Sequence, residues 1–172
     1  WDSNKLTLEL DFEGDEVEVH VTNELGEMTT IHWHGMHLPA IMDGVHQIIS
    51  PDETWQPYWQ IHQQAATLWY HPHLMGLTGP HVYNGLAGLF ILDDVNSQSL
   101  EIPKDYGVND IPIIVQDRKF DANGQFVYTS NETDTIGHKG MHGDTLLVNG
   151  TYAPYLEAVS YTHLTLPTIV RG

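Results

Sequence analysis

Two His-x-His triplets, His32-Trp33-His34 in TTIHWHG and His71-Pro72-His73 in TLWYHPH, constrain this chain more than any other feature. Each lies in a strand-like run. In a strand alternate side chains share a face, so each triplet presents two imidazoles about 6 to 7 Å apart on one side. Along residues 29–37 this parity puts His32, His34 and Met36 on one face and Ile31, Trp33 and His37 on the other. In the second run Trp69, His71 and His73 share a side, and Leu68 and Tyr70 oppose them. One face then packs a core, and four imidazoles on the other make a metal-binding face. A single triplet is as readily read as two ordinary hydrogen-bonded strand histidines; two in one small domain are not.

The donor set narrows the metal. Imidazole suits copper, zinc, iron and nickel, and copper leads by intrinsic affinity where neither thiolate nor carboxylate competes. The chain has no cysteine, which removes disulfides, iron–sulfur clusters, thiolate zinc sites and the blue-copper centre of two histidines and a cysteine. A strand-borne His-x-His with a third histidine also describes catalytic zinc sites, so a His-ligated zinc enzyme stands as an alternative.

Period-2 patterns run through the rest of the chain. Val17, Val19 and Val21 alternate with Glu16, Glu18 and His20, and Leu6, Leu8 and Leu10 repeat the pattern just before. Further strands are predicted over 29–37, 55–62, 67–73, 86–92, 111–116, 125–128 and 145–148. Turn clusters such as Pro51-Asp52, Asp93-Asp94 and Asn123-Gly124 separate them. No long helical period competes. Such short, punctuated strands predict an all-β antiparallel sandwich or barrel. Residues 96–109 read as a longer connection and 129–143 as an irregular linker. The 145–148 strand is left to pack back, to pair with another chain or to stay loose.

The other histidines invite a plainer reading. His20, on the wet face of the Val17 strand, and His62, His138, His142 and His163 are read as ordinary polar residues, and His46 and His81, in Gly- and Pro-rich loops near the triplets, stand outside the expected ligand set with an auxiliary or adventitious ligand role as the lesser alternative. Asp43, in Met42-Asp43-Gly44, is either a turn residue before glycine or a carboxylate behind the ligands that orients a metal-bound water or passes it protons. Trp33, Trp55, Trp59 and Trp69 are read as strand and core packing.

Composition excludes several partners. With 23 acidic against 6 basic residues the formal charge is −17, which repels phosphate backbones and anionic lipid head groups and favours cations. No apolar run reaches the roughly 18 to 20 residues of a membrane span, and no basic segment followed by an apolar one opens the chain. At 172 residues, 41% of them apolar, a globule with a real core is expected. Asn131-Glu132-Thr133 and Asn149-Gly150-Thr151 match the N-glycosylation pattern, a triplet that often arises by chance.

In order and spacing, TTIHWHGMHLP, MDGVHQIISPDETW, AATLWYHPHLMG, GLAGLFILDD, IPIIVQDRKFDANGQF and GDTLLVNG resemble the N-terminal cupredoxin domain of bacterial multicopper oxidases, the laccase and copper-efflux oxidase group. The resemblance covers most of residues 6–156. It implies a cupredoxin-like Greek-key β-sandwich, with a trinuclear copper cluster held between the first and last domains by eight histidines from four His-x-His motifs. It implies that His32 binds the type 2 copper, His34 and His71 one type 3 copper, and His73 the other. Asp43 falls where the family carries an acidic residue that assists proton delivery. The implied reaction is oxidation of phenols or cuprous ion coupled to reduction of dioxygen to water, in an extracytoplasmic setting: periplasmic, cell-surface or secreted.

The departures from that pattern matter equally. The type 1 copper cysteine, the last domain and the partner His-x-His motifs are missing, so one copy supplies half a cluster and no type 1 copper. Residues 1–117 are expected to form the cupredoxin domain, 118–158 a linker and the first strand of a truncated next domain, and 159–172 a tail that matches nothing in the family, disordered or foreign. A homo-oligomer, a dimer or trimer, is the expected way to bring further sets of four histidines together. A copper-binding module without turnover is the alternative.

Overall fold

The computed structural model describes residues 8–12 along the main chain, 14–129 and 140–155. Leu6, His138, His163, the Asn131 triplet and the tail from residue 159 lie outside them. The strands are β1 (Leu8–Phe12), β2 (Glu16–Glu18), β3 (Val21–Thr22), β4 (His32–His34), β5 (Thr54–Trp55), β6 (Tyr58–Gln60), β7 (Ala66–His71), β8 (Gly88–Asp93), β9 (Val115–Arg118), β10 (Thr145–Val148) and β11 (Thr151–Tyr152). Two short helices accompany them, α1 (Thr78–Tyr83) and α2 (Val95–Ser99).

The principal sheet has the order β1-β8-β7-β4. β1 runs parallel to β8, whereas β7 is antiparallel to both its neighbours. β2 pairs with β6 and β3 with β5. Alternation decides what lies between these layers: Val17 from β2 and Trp59 from β6 meet Trp33 of β4 and Phe90 and Leu92 of β8 in one buried cluster with Ile31 and Ile61. Trp33 is its hub, 2% exposed, with ring centroids 5.4 Å from Trp59, 5.9 Å from Phe90 and 6.0 Å from Tyr70. Truncating such a side chain to alanine costs about 3–5 kcal/mol. Burial also pushes the Tyr70 phenol up to about 12. The result is an all-β sandwich, as the alternation predicts except that β1 and β8 pair in parallel, and it has the cupredoxin-like Greek-key form that the resemblance implies.

Where the strands stop differs from the alternation, for identifiable reasons. Gly35 adopts a φ of 92°, ends β4, and turns Met36 into the core instead of onto the imidazole face. Pro57 divides the 55–62 run into β5 and β6, having no N–H for a ladder. The 111–116 run pairs only from Val115, and 125–128 contributes one isolated bridge, Phe120 to Phe126. α2 occupies part of the stretch read as a connection. It is set by a reciprocal cap in which Asp94 Oδ1 accepts from the Ser97 N–H (2.7 Å) and Ser97 Oγ accepts from the Asp94 N–H (2.9 Å).

β9 joins β10 and β11 in a separate three-stranded sheet. Asn149, at a φ of 48°, is consumed by this fold: its Oδ1 accepts from the Ile114 N–H (2.8 Å) and its Nδ2 donates to the Pro112 carbonyl (3.0 Å). Among the described residues no helix is long and apolar enough to cross a membrane.

Candidate metal centre

β4 and β7 are hydrogen-bonded neighbours with His32 opposite His71, Trp33 opposite Tyr70 and His34 opposite Trp69. Opposed residues share a face of a sheet. The imidazoles therefore meet on one side while Trp33 and Tyr70 pack on the other. The ring centroids of His32 lie 5.5 Å from His34, 5.3 Å from His71 and 5.4 Å from His73, and those of His34 and His71 lie 5.3 Å apart. One nitrogen from each of His32, His34 and His71 lies within 4.8 Å of the other two.

Main-chain carbonyls fix which nitrogens are free. The His32 Nδ1–H donates to the Asp43 carbonyl oxygen (3.0 Å) and the His71 Nδ1–H to the Pro72 carbonyl oxygen (2.8 Å), so each Nε2 keeps its lone pair. His71 Nε2 meets His34 Nδ1 at 3.1 Å. Two neutral imidazoles so placed either share one proton or converge on one ion, and metal–nitrogen bonds of about 2.0 Å span that separation. The donor set fits an imidazole-loving metal.

Electrostatics keep two of these rings in ligand form. Burial, to 6% exposure, pushes the His71 imidazole down to about 4, with the neighbouring histidines adding to the effect against its Pro72 hydrogen bond. His34 is lowered as well, first by burial and then by His32, with Asp43 partly opposing.

Asp43 lies behind His32, as its position after the first triplet allows. It closes a 3₁₀ turn at Ala40–Met42 and brings Oδ1 to 3.0 Å from His32 Nδ1, where that oxygen is buried and makes no hydrogen bond of its own. This approach depends on Gly44, at a φ of 73°, because a Cβ there would overlap the Ile31 carbonyl.

His73 stands at the edge of the cluster, exposed, its ring 6.0 Å from that of His71 and its nitrogens outside the close group of three. His46 is exposed and likewise outside that group. His81 is 4% exposed and already engaged, its Nδ1 3.2 Å from Thr29 Oγ1 and its Nε2 3.1 Å from Glu27 Oε1. His20, paired with Glu18 at 2.8 Å, and His37, His62 and His142 are exposed.

Trp69 corrects the packing assignment made for it. It is 38% exposed and stacks on His71, with centroids 4.1 Å apart, instead of entering the core. Strand parity already placed Trp69 beside His71; Gly44, the Pro72 carbonyl and Thr30, which accepts the His73 N–H, carry no signal in the alternation.

Residues 7–97, which include both triplets, match the multicopper oxidase family. Over 147 residues the chain is 43% identical to the cell division protein FtsP of Escherichia coli (strain K12), covering 85% of this chain and 30% of that protein. Among solved structures, the McoA multicopper oxidase of Aquifex aeolicus superposes with a TM-score of 0.75 at 40% identity, covering 84% of this chain and 32% of that one. The bacterial laccase-like multicopper oxidase CueO from Ochrobactrum sp. superposes with a TM-score of 0.74 at 38% identity, covering 83% and 32%. The chain thus spans about a third of the length of these relatives. By this match and by its fold, the chain belongs to the multicopper oxidase family.

Proposed function

We propose that this chain is a copper-binding domain of a laccase-like multicopper oxidase, with His32, His34, His71 and His73 as metal ligands and Asp43 as the carboxylate that handles protons. The observation that carries this reading is the convergence of three imidazole nitrogens within 4.8 Å, two of the rings held by main-chain carbonyls so that Nε2 is free. Copper in type 2 and type 3 sites would supply one-electron oxidation of a phenol or of cuprous ion, coupled to reduction of dioxygen. The residues of the chain hold and orient: the Asp43 carboxylate stands 3.0 Å from His32 Nδ1, in reach of the proton that this nitrogen carries, and Trp69 covers one face of His71.

The imidazole face is open, with His32 and His34 partly buried and His73 exposed. That supports completion of the cluster by further histidines, from a second copy in a dimer or trimer or from another domain. With no cysteine in the chain, a type 1 copper belongs elsewhere. An extracytoplasmic location belongs to the same reading.

Copper titration with metal analysis, sedimentation and thermal melting tests it. Copper is expected to raise Tm and the assembly state, because a ligand of the native form stabilises it, and His34→Ala with His71→Ala should abolish both effects. Identical melting and sedimentation with and without copper would overturn the assignment; zinc retained to the exclusion of copper would point to the zinc enzyme.

A second reading is a copper module without turnover, because relatives matched over 85% of this chain are named as a cell division protein and not as an oxidase. Stoichiometric copper with no oxygen uptake on a phenol would select it.

A further inference from the structure

We propose that Thr30 is a positioning residue for His73, the histidine that the strand ladder does not reach. The hydrogen-bond geometry stands alone, and its consequence for metal rests on the copper reading above. With His32 opposite His71, continuing the antiparallel pairing outward would set Thr30 opposite His73. β7 stops at His71, however, because Pro72 has no N–H to donate and its carbonyl is taken by His71 Nδ1. The His73 N–H instead donates to Thr30 Oγ1 at 2.7 Å. A side-chain hydroxyl thus extends the pairing past the point where the main chain gives out.

The acceptor is held rigidly. Thr30 is 0% exposed, so its hydroxyl oxygen is withdrawn from solvent and kept for the His73 N–H. Its neighbour Thr29 exchanges both main-chain hydrogen bonds with Ile49 (3.1 and 2.9 Å), and its Oγ1 lies 3.2 Å from His81 Nδ1 on α1. The Thr29-Thr30 dipeptide therefore ties down both His73 and the helix that follows it. Because the His73 side chain is exposed, its aim toward the cluster depends on this main-chain anchor.

Two substitutions in the full chain separate positioning from packing. Thr30→Val keeps the shape and deletes the acceptor; Thr30→Ser keeps the acceptor. Without metal, the His73 amide is expected to exchange hydrogen at least tenfold faster in the valine variant and at the wild-type rate in the serine variant. On titration with cuprous ion, followed on the histidine ring nitrogens by NMR, His32, His34 and His71 should respond in Thr30→Val as in wild type, whereas His73 should need at least tenfold more metal; serine should rescue it. A His73 amide as protected in the valine variant as in wild type, or a His73 ring responding at the wild-type copper concentration, overturns the proposal. If wild type takes up no copper, the copper reading fails, and amide exchange still decides the role of Thr30. Should the valine variant not fold, Thr30→Ala against Thr30→Ser repeats both measurements.

Discussion

Trp69 lies nearly flat against His71, the two rings 4.1 Å apart at an interplanar angle of 28°. If His71 binds copper as proposed, an exposed indole stacked on its imidazole makes the site optically visible. Cupric ion should quench tryptophan emission, and Trp69→Phe should remove the largest share of that quench while calorimetry still shows binding. Aromatic stacking is worth about 0.5–1.5 kcal/mol, so copper affinity should weaken by no more than roughly tenfold. Unchanged quenching in the variant would show that copper binds away from His71.

The buried His71 also gives the metal-free protein an acid-sensitive stability. Its imidazole titrates near 4 when folded and near the ordinary value of 6.5 when unfolded. Between these values the unfolded chain binds the proton and the folded chain does not, so stability rises with pH across that window. Denaturation midpoints should therefore fall as pH drops from 6.5 toward 4, with no further change from this group below it, and His71→Gln should flatten that part of the curve.

Copper retention should follow the same residues. Protons compete for metal only where the ligand titrates, and both His34 and His71 are lowered. The pH at which half the copper is lost should therefore lie below 6.5. A midpoint at or above 6.5 would mean that neither histidine governs binding.

Gly44→Ala tests the Asp43 turn. The added methyl would strike the Ile31 carbonyl at a φ of 73°, and strain of this kind costs roughly 1–3 kcal/mol. The turn must lift from β4, so both Tm and copper affinity should fall. Gly124→Ala, at a φ of 77° but with nothing within 4 Å, is the control and should lower Tm alone.

Asp94→Ala should lower Tm without touching copper binding. Its carboxylate is held below the usual range by the N–H groups of Ala65 and Ser97. That contribution is present above the unfolded value of 3.8 and is lost as pH falls through the lower folded value. The gap in Tm between wild type and variant should therefore close in acid.

Much of this architecture is written in local alternation. Parity within each run sets His32 and His34 against Trp33, and His71 against Tyr70, because facing along a strand is a property of consecutive residues; that the two imidazole sets share one face comes from the pairing of β4 with β7. Parity fails where one residue ends a strand without disturbing the apolar pattern. Gly35 does so and sends Met36 inward; Pro72 does so and hands the His73 N–H to Thr30. Gly44 is legible as a turn residue, but its necessity comes from Ile31, a contact no local pattern records. The cap of α2 was present in Asp94-Val95-Asn96-Ser97 and was hidden by its neighbours, which read as a connection.

The adjacency of β4 and β7 ties metal affinity to strand alignment. Were either strand displaced along the other by one residue, Trp33 or Tyr70 would turn to water and the imidazoles into the apolar layer. A bound ion would then act as a proofreader of the sheet: only correctly aligned strands could retain it, and once retained it would penalise every misaligned alternative.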